Sequence, residues 1–214
     1  MLTIALPKGR IAKETLMLFS QVFQERFLFN DRKLILQTKD FTFLLVRNQD
    51  VPTYVHYGAA DLGVVGLDVL EEKDDIEIVR LLNLGIGKCK VVLGSECGKP
   101  INYLKPRIRI ATKMTNITQH FFSKRAIAVD VIKLYGSIEL APLVNLADGI
   151  VDIVETGTTM KQNNLQIDEV IMESSAYLIA NVNSFFAKKQ RILHLQDSFA
   201  KIINTSINDS LQNR

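Results

Sequence analysis

Asp50-Val-Pro-Thr-Tyr-Val-His-Tyr-Gly-Ala-Ala-Asp61 runs into the apolar stretch Leu62-Gly-Val-Val-Gly66, and the pattern returns once. Glu139-Leu-Ala-Pro-Leu-Val-Asn-Leu-Ala-Asp148 runs into Gly149-Ile-Val-Asp-Ile-Val154. In each copy an acidic residue and an early Pro open a short helix, where the missing N–H of Pro costs nothing. Ala-Asp closes the helix, and a buried-looking strand then leads to a glycine-containing turn. Two similar α/β lobes would produce this echo, and without a third copy a solenoid is excluded.

Outward from these segments, short apolar β-branched runs alternate with helical-period segments, the pattern of an α/β protein. Leu2–Leu6, Leu34–Leu36, Phe41–Val46, Leu62–Gly66, Lys90–Leu93, Arg107–Thr112, Ala128–Leu134 and Ile150–Val154 read as strands. Helices are expected from about Ala12 to Arg26, from Asp50, from an Asn116 cap to about Arg125, and in the tail from about Ser184 to Ile207. No Pro- or Ser-rich linker separates the halves. The expected division is residues 1–90 plus 180–214 as one lobe, carrying the N-terminal basic loops and C-terminal helices, and 91–179 as the other.

With 214 residues, 47% hydrophobic and 23% charged, the chain can bury a substantial core. No stretch approaches the ~20 apolar residues of a membrane span, and MLTIALPKGR lacks the features of a signal peptide, so a cytoplasmic location is expected. Cys89 and Cys97 have no second pair and no nearby His, which suggests neither zinc nor a disulfide framework. His56, His120 and His194 lack metal spacing. A net charge of +3 does not argue for nucleic acid, but the distribution is uneven. Eight bases against four acids lie between Lys8 and Arg47, and six acids against Lys161 alone between Asp148 and Ser175. The first segment suits polyphosphate and the second suits sugar hydroxyls or Mg²⁺; solvated surface charge explains both equally well.

Gly149-Ile-Val-Asp-Ile-Val-Glu-Thr-Gly-Thr-Thr-Met160 carries the clearest chemistry. A strand ends in Glu-Thr-Gly-Thr-Thr and a short helical stretch, Met160–Asn164, is expected to follow. Unpaired N–H groups converge at such a junction and the helix dipole favours an anion. Gly157 allows close approach, Thr156, Thr158 and Thr159 add donors, and Asp152 or Glu155 can accept from the two hydroxyls of a ribose. A plain capped turn would also account for the threonines. Gly94-Ser-Glu-Cys-Gly-Lys99 is one residue short of a Walker A loop and continues with Pro100, and Leu84-Gly-Ile-Gly-Lys88 lacks the third glycine of a dinucleotide fingerprint; both read as turns.

Six blocks in order resemble the ATP phosphoribosyltransferase family. They are Ala5-Leu-Pro-Lys-Gly-Arg10, Asp50-Val-Pro-Thr-Tyr54, Gly58-Ala-Ala-Asp-Leu-Gly-Val-Val-Gly66, Leu84-Gly-Ile-Gly-Lys-Cys89, Lys133-Leu-Tyr-Gly-Ser-Ile-Glu-Leu-Ala-Pro142 and Asp152-Ile-Val-Glu-Thr-Gly157. The resemblance implies a two-lobe fold like type II periplasmic binding proteins, with the active site in the inter-lobe cleft. It also implies the short form, which works with a regulatory subunit resembling histidyl-tRNA synthetase, as a homodimer within a hetero-oligomer. His56, Thr158, Asn164 and Ala176 depart from residues common in the family at those positions (Glu, Asn, Gly and Arg).

The reaction implied is attack of adenine N1 of ATP on C1 of phosphoribosyl pyrophosphate, with Mg²⁺. The ring nitrogen already carries a lone pair, so no protein nucleophile is needed, and catalysis rests on positioning and charge stabilisation. The resemblance points to Arg32 and Arg47 for the leaving pyrophosphate and to Lys8, Gly9 and Arg10 for polyphosphate. Glu155, Thr156, Gly157, Thr158 and Thr159 are implied for the 5′-phosphate, with Asp152 and Glu139 on the ribose or metal side. The rival readings are a non-catalytic two-lobe ligand-binding module and a phosphoribosyltransferase using another base.

Overall fold

The computed structural model describes residues 1–30, 32–73 and 75–212, with backbone alone over 206–212. In chain order the elements are β1 (Leu2–Pro7), α1 (Arg10–Phe23), β2 (Ile35–Gln37), β3 (Phe41–Val46), α2 (Val51–His56), β4 (Leu62–Gly66), α3 (Leu67–Glu72), β5 (Val79–Asn83), β6 (Cys89–Glu96) and β7 (Ile108–Thr112). They continue as α4 (Thr115–Ser123), β8 (Val129–Lys133), α5 (Leu140–Leu143), β9 (Gly149–Val154), α6 (Thr158–Gln162), β10 (Leu165–Ser174), β11 (Ala176–Ala180), α7 (Val182–Ala187) and α8 (Lys189–Gln212). The chain forms two compact units: Met1–Leu70, Asp74–Gly87 and Ser175–Arg214 make the first, and Glu71–Lys73 with Lys88–Ser174 the second. The second main crossing precedes β11, a short buried strand that hydrogen-bonds to β4 and β5.

The echo in the sequence corresponds to a shared topology. The first unit holds a sheet ordered β2-β3-β1-β4-β11-β5 and the second a sheet ordered β10-β6-β9-β7-β8. In each, a central strand has parallel neighbours on both sides, β3 and β4 about β1, and β8 and β9 about β7. Two antiparallel strands complete each series, β11 and β5 in one sheet and β6 and β10 in the other. The repeated helix is α2 before β4 and α5 before β9.

The aspartate closing each copy does the same work twice. Asp61 donates its N–H to Thr3 O at 2.8 Å and accepts the Thr3 N–H on Oδ2 at 2.9 Å. Asp148 donates to Arg109 O at 2.7 Å and accepts the Arg109 N–H on Oδ2 at 2.8 Å. Each clamp fixes the next pair of the ladder, Ile4 with Leu62 and Ile110 with Gly149. A cation answers each carboxylate: Lys188 Nζ at 2.8 Å from Asp61, which also accepts from Ser184 Oγ, and Lys105 Nζ at 2.6 Å from Asp148.

Both sheets are covered on both faces, which is why their parallel strands read as near-continuous apolar runs. In the first, Leu2, Ile4, Leu6, Phe43, Val64 and Leu178 face a core with α1 and α8, while Ala5, Val65 and Ile179 face Val51 and Val55 of α2. Phe19 centres the larger core, edge-on to Phe43 and Phe199 at 4.9 Å each. In the second sheet Val91, Leu93, Ile110 and Val151 pack with α4, and Val92, Ala111 and Ile150 with α5 and Met160. No helix among the described residues is long and apolar enough to cross a membrane.

Some local expectations change. Asn116 is not the cap of α4: Met114 holds that position, and the carboxylate of Glu72 accepts from the N–H groups of Asn116 and Ile117 at 3.0–3.1 Å. Asp50 does precede α2 but makes no side-chain cap bond, because a 3-10 turn over Asn48–Asp50 already leads into the helix. The helix after the threonine-rich turn starts at Thr158, not Met160. Asn164, where glycine is frequent in the resembling family, takes φ 55, which Asn tolerates better than most residues. Ala176 is fully buried and its N–H donates to Ile86 O, so no charged partner is needed there.

Burial raises the pKa of Asp61, but hydrogen bonds from Lys188, Thr3 and Ser184 outweigh it and leave the carboxyl below its ordinary 3.8. Asp148 is lowered in the same manner by the Arg109 N–H and Lys105 against its own burial. Their contribution to stability is therefore full above the ordinary carboxylate range and is lost as pH falls through the lowered values. Asp61→Asn should cost roughly 2 kcal/mol and Asp148→Asn, whose lysine is half exposed, about 1. Urea unfolding at pH 7 and pH 3 checks this: the wild type should lose stability on acidification and the double variant should lose less.

Candidate active site

Sequence neighbours and ladder register gather the basic candidates at one edge of the first sheet. β1 and β3 are parallel and in step from Leu2 with Phe41 to Pro7 with Val46, and Lys8 N–H donates to Val46 O at 2.9 Å. Lys8 and Arg47 therefore leave adjacent strands at their carboxyl ends, where open α/β sheets bind ligands. β2 runs antiparallel to β3 with Ile35 opposite Leu44, and Leu45 N–H donates to Leu34 O. Arg32 lies outside the ladder, three residues before the start of β2. Lys8, Arg32 and Arg47 are exposed, and their side chains have no hydrogen-bond or ionic partner among the described residues. Gly9 turns the chain into α1 with φ 106, and Arg10 lies 3.4 Å from Glu14.

The other candidates meet in the second unit. Glu139, Asp152, Glu155, Thr156, Gly157, Thr158 and Thr159 line one pocket of about 290 Å³, with Ile153, Val154 and Met160. Its floor is the end of β9 and its wall the turn into α6. Gly157 adopts φ 79, ψ 0, a left-handed conformation that L side chains reach only with strain. Thr156 Oγ1 and Thr158 Oγ1 are 2.9 Å apart, and the N–H groups of Thr156 and Gly157 have no protein acceptor among the described residues. Donors and hydroxyls thus converge on one turn, which suits a phosphate.

Asp152 faces the same side of β9 as Ile150 and Val154. Its Oδ1 is buried and accepts no hydrogen bond, while Lys113 Nζ stands 3.2 Å away as an ion pair without hydrogen-bond geometry. Lys113 was not legible as a site residue in the sequence, since only the pairing of β7 with β9 brings it here. Among the described residues no three His, Cys, Asp or Glu side chains form a metal cage. The carboxylates of Asp152 and Glu139 suit Mg²⁺, which keeps several waters and needs only one or two carboxylates when phosphates supply the rest. The basic edge and the pocket belong to different units.

The family described as ATP phosphoribosyltransferase matches residues 47–201. The ATP phosphoribosyltransferase of Wolinella succinogenes is 69% identical over 202 residues, covering 94% of this chain and 98% of the relative. Among solved structures, the ATP phosphoribosyl transferase (HisG:HisZ) complex from Thermotoga maritima is similar at TM-score 0.82 and 32% identity, covering 96% of this chain and 100% of that one. The periplasmic aliphatic sulphonate binding protein SsuA of Escherichia coli shares the fold at TM-score 0.64 and 12% identity, over 99% of this chain and 75% of its own.

A Cβ built at Gly157 meets only Ile167 and Val154, both at 3.9 Å, so the core has room and the strain lies in the backbone. Gly157→Val should therefore remain folded at a cost of about 1–2 kcal/mol while losing measurable affinity for a sugar phosphate. Calorimetric titration with ribose 5-phosphate, beside a thermal melt, checks both halves. Unchanged affinity would remove the turn from the site.

Proposed function

The chain belongs to the ATP phosphoribosyltransferase family, which catalyses the first step of histidine biosynthesis, and we propose how its two sets of residues divide that reaction. It has the length of the family's short form. The 5-phosphoribosyl group passes from phosphoribosyl pyrophosphate to N1 of the adenine of ATP. The N1 lone pair forms the new bond to C1, the bond from C1 to the pyrophosphate oxygen breaks, and its electron pair leaves with pyrophosphate, giving N1-(5-phosphoribosyl)-ATP.

One observation carries the assignment: a single pocket pairs a donor-rich turn with carboxylates, the chemistry of a phosphorylated sugar's two ends. Glu155 through Thr159 hold the 5′-phosphate, and Asp152 and Glu139 accept from ribose hydroxyls or share Mg²⁺ carried by the substrate phosphates. Bound there, Mg²⁺ supplies charge neutralisation on the pyrophosphate. Lys8, Gly9 and Arg10 hold polyphosphate, and Arg32 and Arg47 meet the charge that grows on the departing group. The exposed side chains of Lys8, Arg32 and Arg47, which have no anionic partner among the described residues, support that role. The enzyme works in the cytoplasm, the compartment of both substrates, with a regulatory subunit resembling histidyl-tRNA synthetase. The support for that partner is the likeness to a chain solved as a HisG:HisZ complex.

An interaction made mainly in the transition state lowers turnover without a matching loss of binding. Arg32→Ala and Arg47→Ala should each reduce the single-turnover rate by ~10²–10³ with little change in ATP affinity. Lysine should restore only part, because a point charge does not reproduce a planar fork of donors. Rapid quench must catch chemistry before product release, which can mask it in steady state. A wild-type chemical step in both variants would return these arginines to the surface.

The partner is tested separately. Pyrophosphate release by the isolated chain should be insensitive to histidine, and adding the regulatory subunit should confer inhibition. Equal inhibition with and without that subunit would contradict the proposed division of labour.

A further inference from the structure

The proposed pocket places the carboxylates of Glu139, Asp152 and Glu155 where its ligand is an anion, and Asp152 has a cation beside it. Asp152 has a side chain only 16% exposed, and its buried Oδ1 accepts no hydrogen bond. A carboxylate held this way beside a bound phosphate suffers both desolvation and like-charge repulsion. Lys113 Nζ, 3.2 Å from Oδ1, is the cation paired with it.

Lys113 is delivered there by register. β7 and β9 are parallel, with Ile110 beside Gly149, Ala111 beside Ile150 and Thr112 beside Val151. One further step sets position 113 beside position 152. The turn that carries Lys113 is held on both sides. Thr112 Oγ1 donates to Val151 O at 2.7 Å and accepts the Met114 N–H at 2.9 Å, while Thr118 Oγ1 donates to Met114 O at 2.6 Å. Glu72 caps the helix that follows. The Lys113 side chain is 33% exposed, so the pair lies half-buried at the mouth of this turn.

We propose that Lys113 is a positioning residue for phosphoribosyl pyrophosphate, acting through Asp152. It neutralises the carboxylate beside the phosphate turn and keeps it turned to accept the ribose hydroxyls. Asp152 lines the pocket and Lys113 stands behind it at 3.2 Å, so the lysine's effect on the ligand passes through the carboxylate. This inference rests on the pocket being the phosphoribosyl site.

Steady-state and single-turnover kinetics of the full chain with its regulatory subunit test it. Lys113→Met should raise KM for phosphoribosyl pyrophosphate on the order of tenfold, with kcat at saturation and KM for ATP little changed, the signature of lost ground-state binding. Lys113→Gln should behave like Met, and Lys113→Arg should restore most of the affinity. Asp152→Asn alone should also raise that KM, and adding Lys113→Met to it should change KM further by less than the two separate effects combined. A wild-type KM in Lys113→Met and Lys113→Gln, with KM raised in Asp152→Asn, overturns the role of Lys113 and leaves the pocket standing. Additive losses in the double variant, a fall in kcat alone, or a lowered melting temperature with an unchanged KM overturn it too. If Asp152→Asn and Gly157→Val also keep the wild-type KM, the pocket reading itself fails.

Discussion

Two aspartates set the register on which both sheets depend. Asp61 and Asp148 each bond the N–H and C=O of one residue in the central strand, Thr3 or Arg109, through their own backbone and carboxylate. A strand pairing that slips by one residue turns every side chain to the other face. The clamp at Asp148 thus fixes which residue of β9 stands by Lys113 four places later, and the clamp at Asp61 fixes how β4 enters beside β1. The small residue before each aspartate, Ala60 or Ala147, is buried, which leaves no room for a larger side chain at the same corner. A shared local sequence produces a shared corner, and the corner sets the carboxyl edge of each sheet.

That edge was the part of the molecule most open to reading in advance. Helix, Ala-Asp and strand recur with the same residue types, and buried parallel strands announce themselves as apolar runs. The strands that were missed lack those signals for identifiable reasons. β10 is an edge strand with acidic residues and two register shifts, at Ile167/Glu169 and Val170/Met172, and each bulge breaks the alternation that would reveal it. Glu169 there pairs with Arg125 at the surface. β11 is the five residues Ala-Tyr-Leu-Ile-Ala, all buried but Tyr177, a run that periodicity does not distinguish from helix. β5 is interrupted by Arg80 and has no turn signal after it except the glycines of a loop that read as a turn in its own right.

Within the site, residues contiguous in sequence were legible and residues joined by pairing were not. Asp152 through Thr159 form one strand and one turn, so their chemistry can be read in order. Arg47 comes beside Lys8 only because β3 runs parallel to β1, and Lys113 reaches Asp152 only through a ladder between strands that begin about 40 residues apart. The charge pattern makes sense only after that pairing. The acidic segment that looked like a single negative patch is divided: Asp148 clamps a strand and binds Lys105, Asp152 faces the pocket with Lys113, and Glu169 holds Arg125. What remains at the pocket is a donor-rich turn beside the carboxylates of Glu139, Asp152 and Glu155, with Lys113 paired to Asp152.

Amide spectra of isotopically labelled protein during titration with ribose 5-phosphate test the central claim most directly, since they report binding at named N–H groups without any substitution. The account predicts large saturable shifts at Thr156, Gly157, Thr158 and Thr159, smaller ones at Asp152 and Lys113, and little change at Lys8 and Gly9. Shifts confined to the basic edge of the first unit, with the turn from Thr156 to Thr159 unmoved, would contradict it.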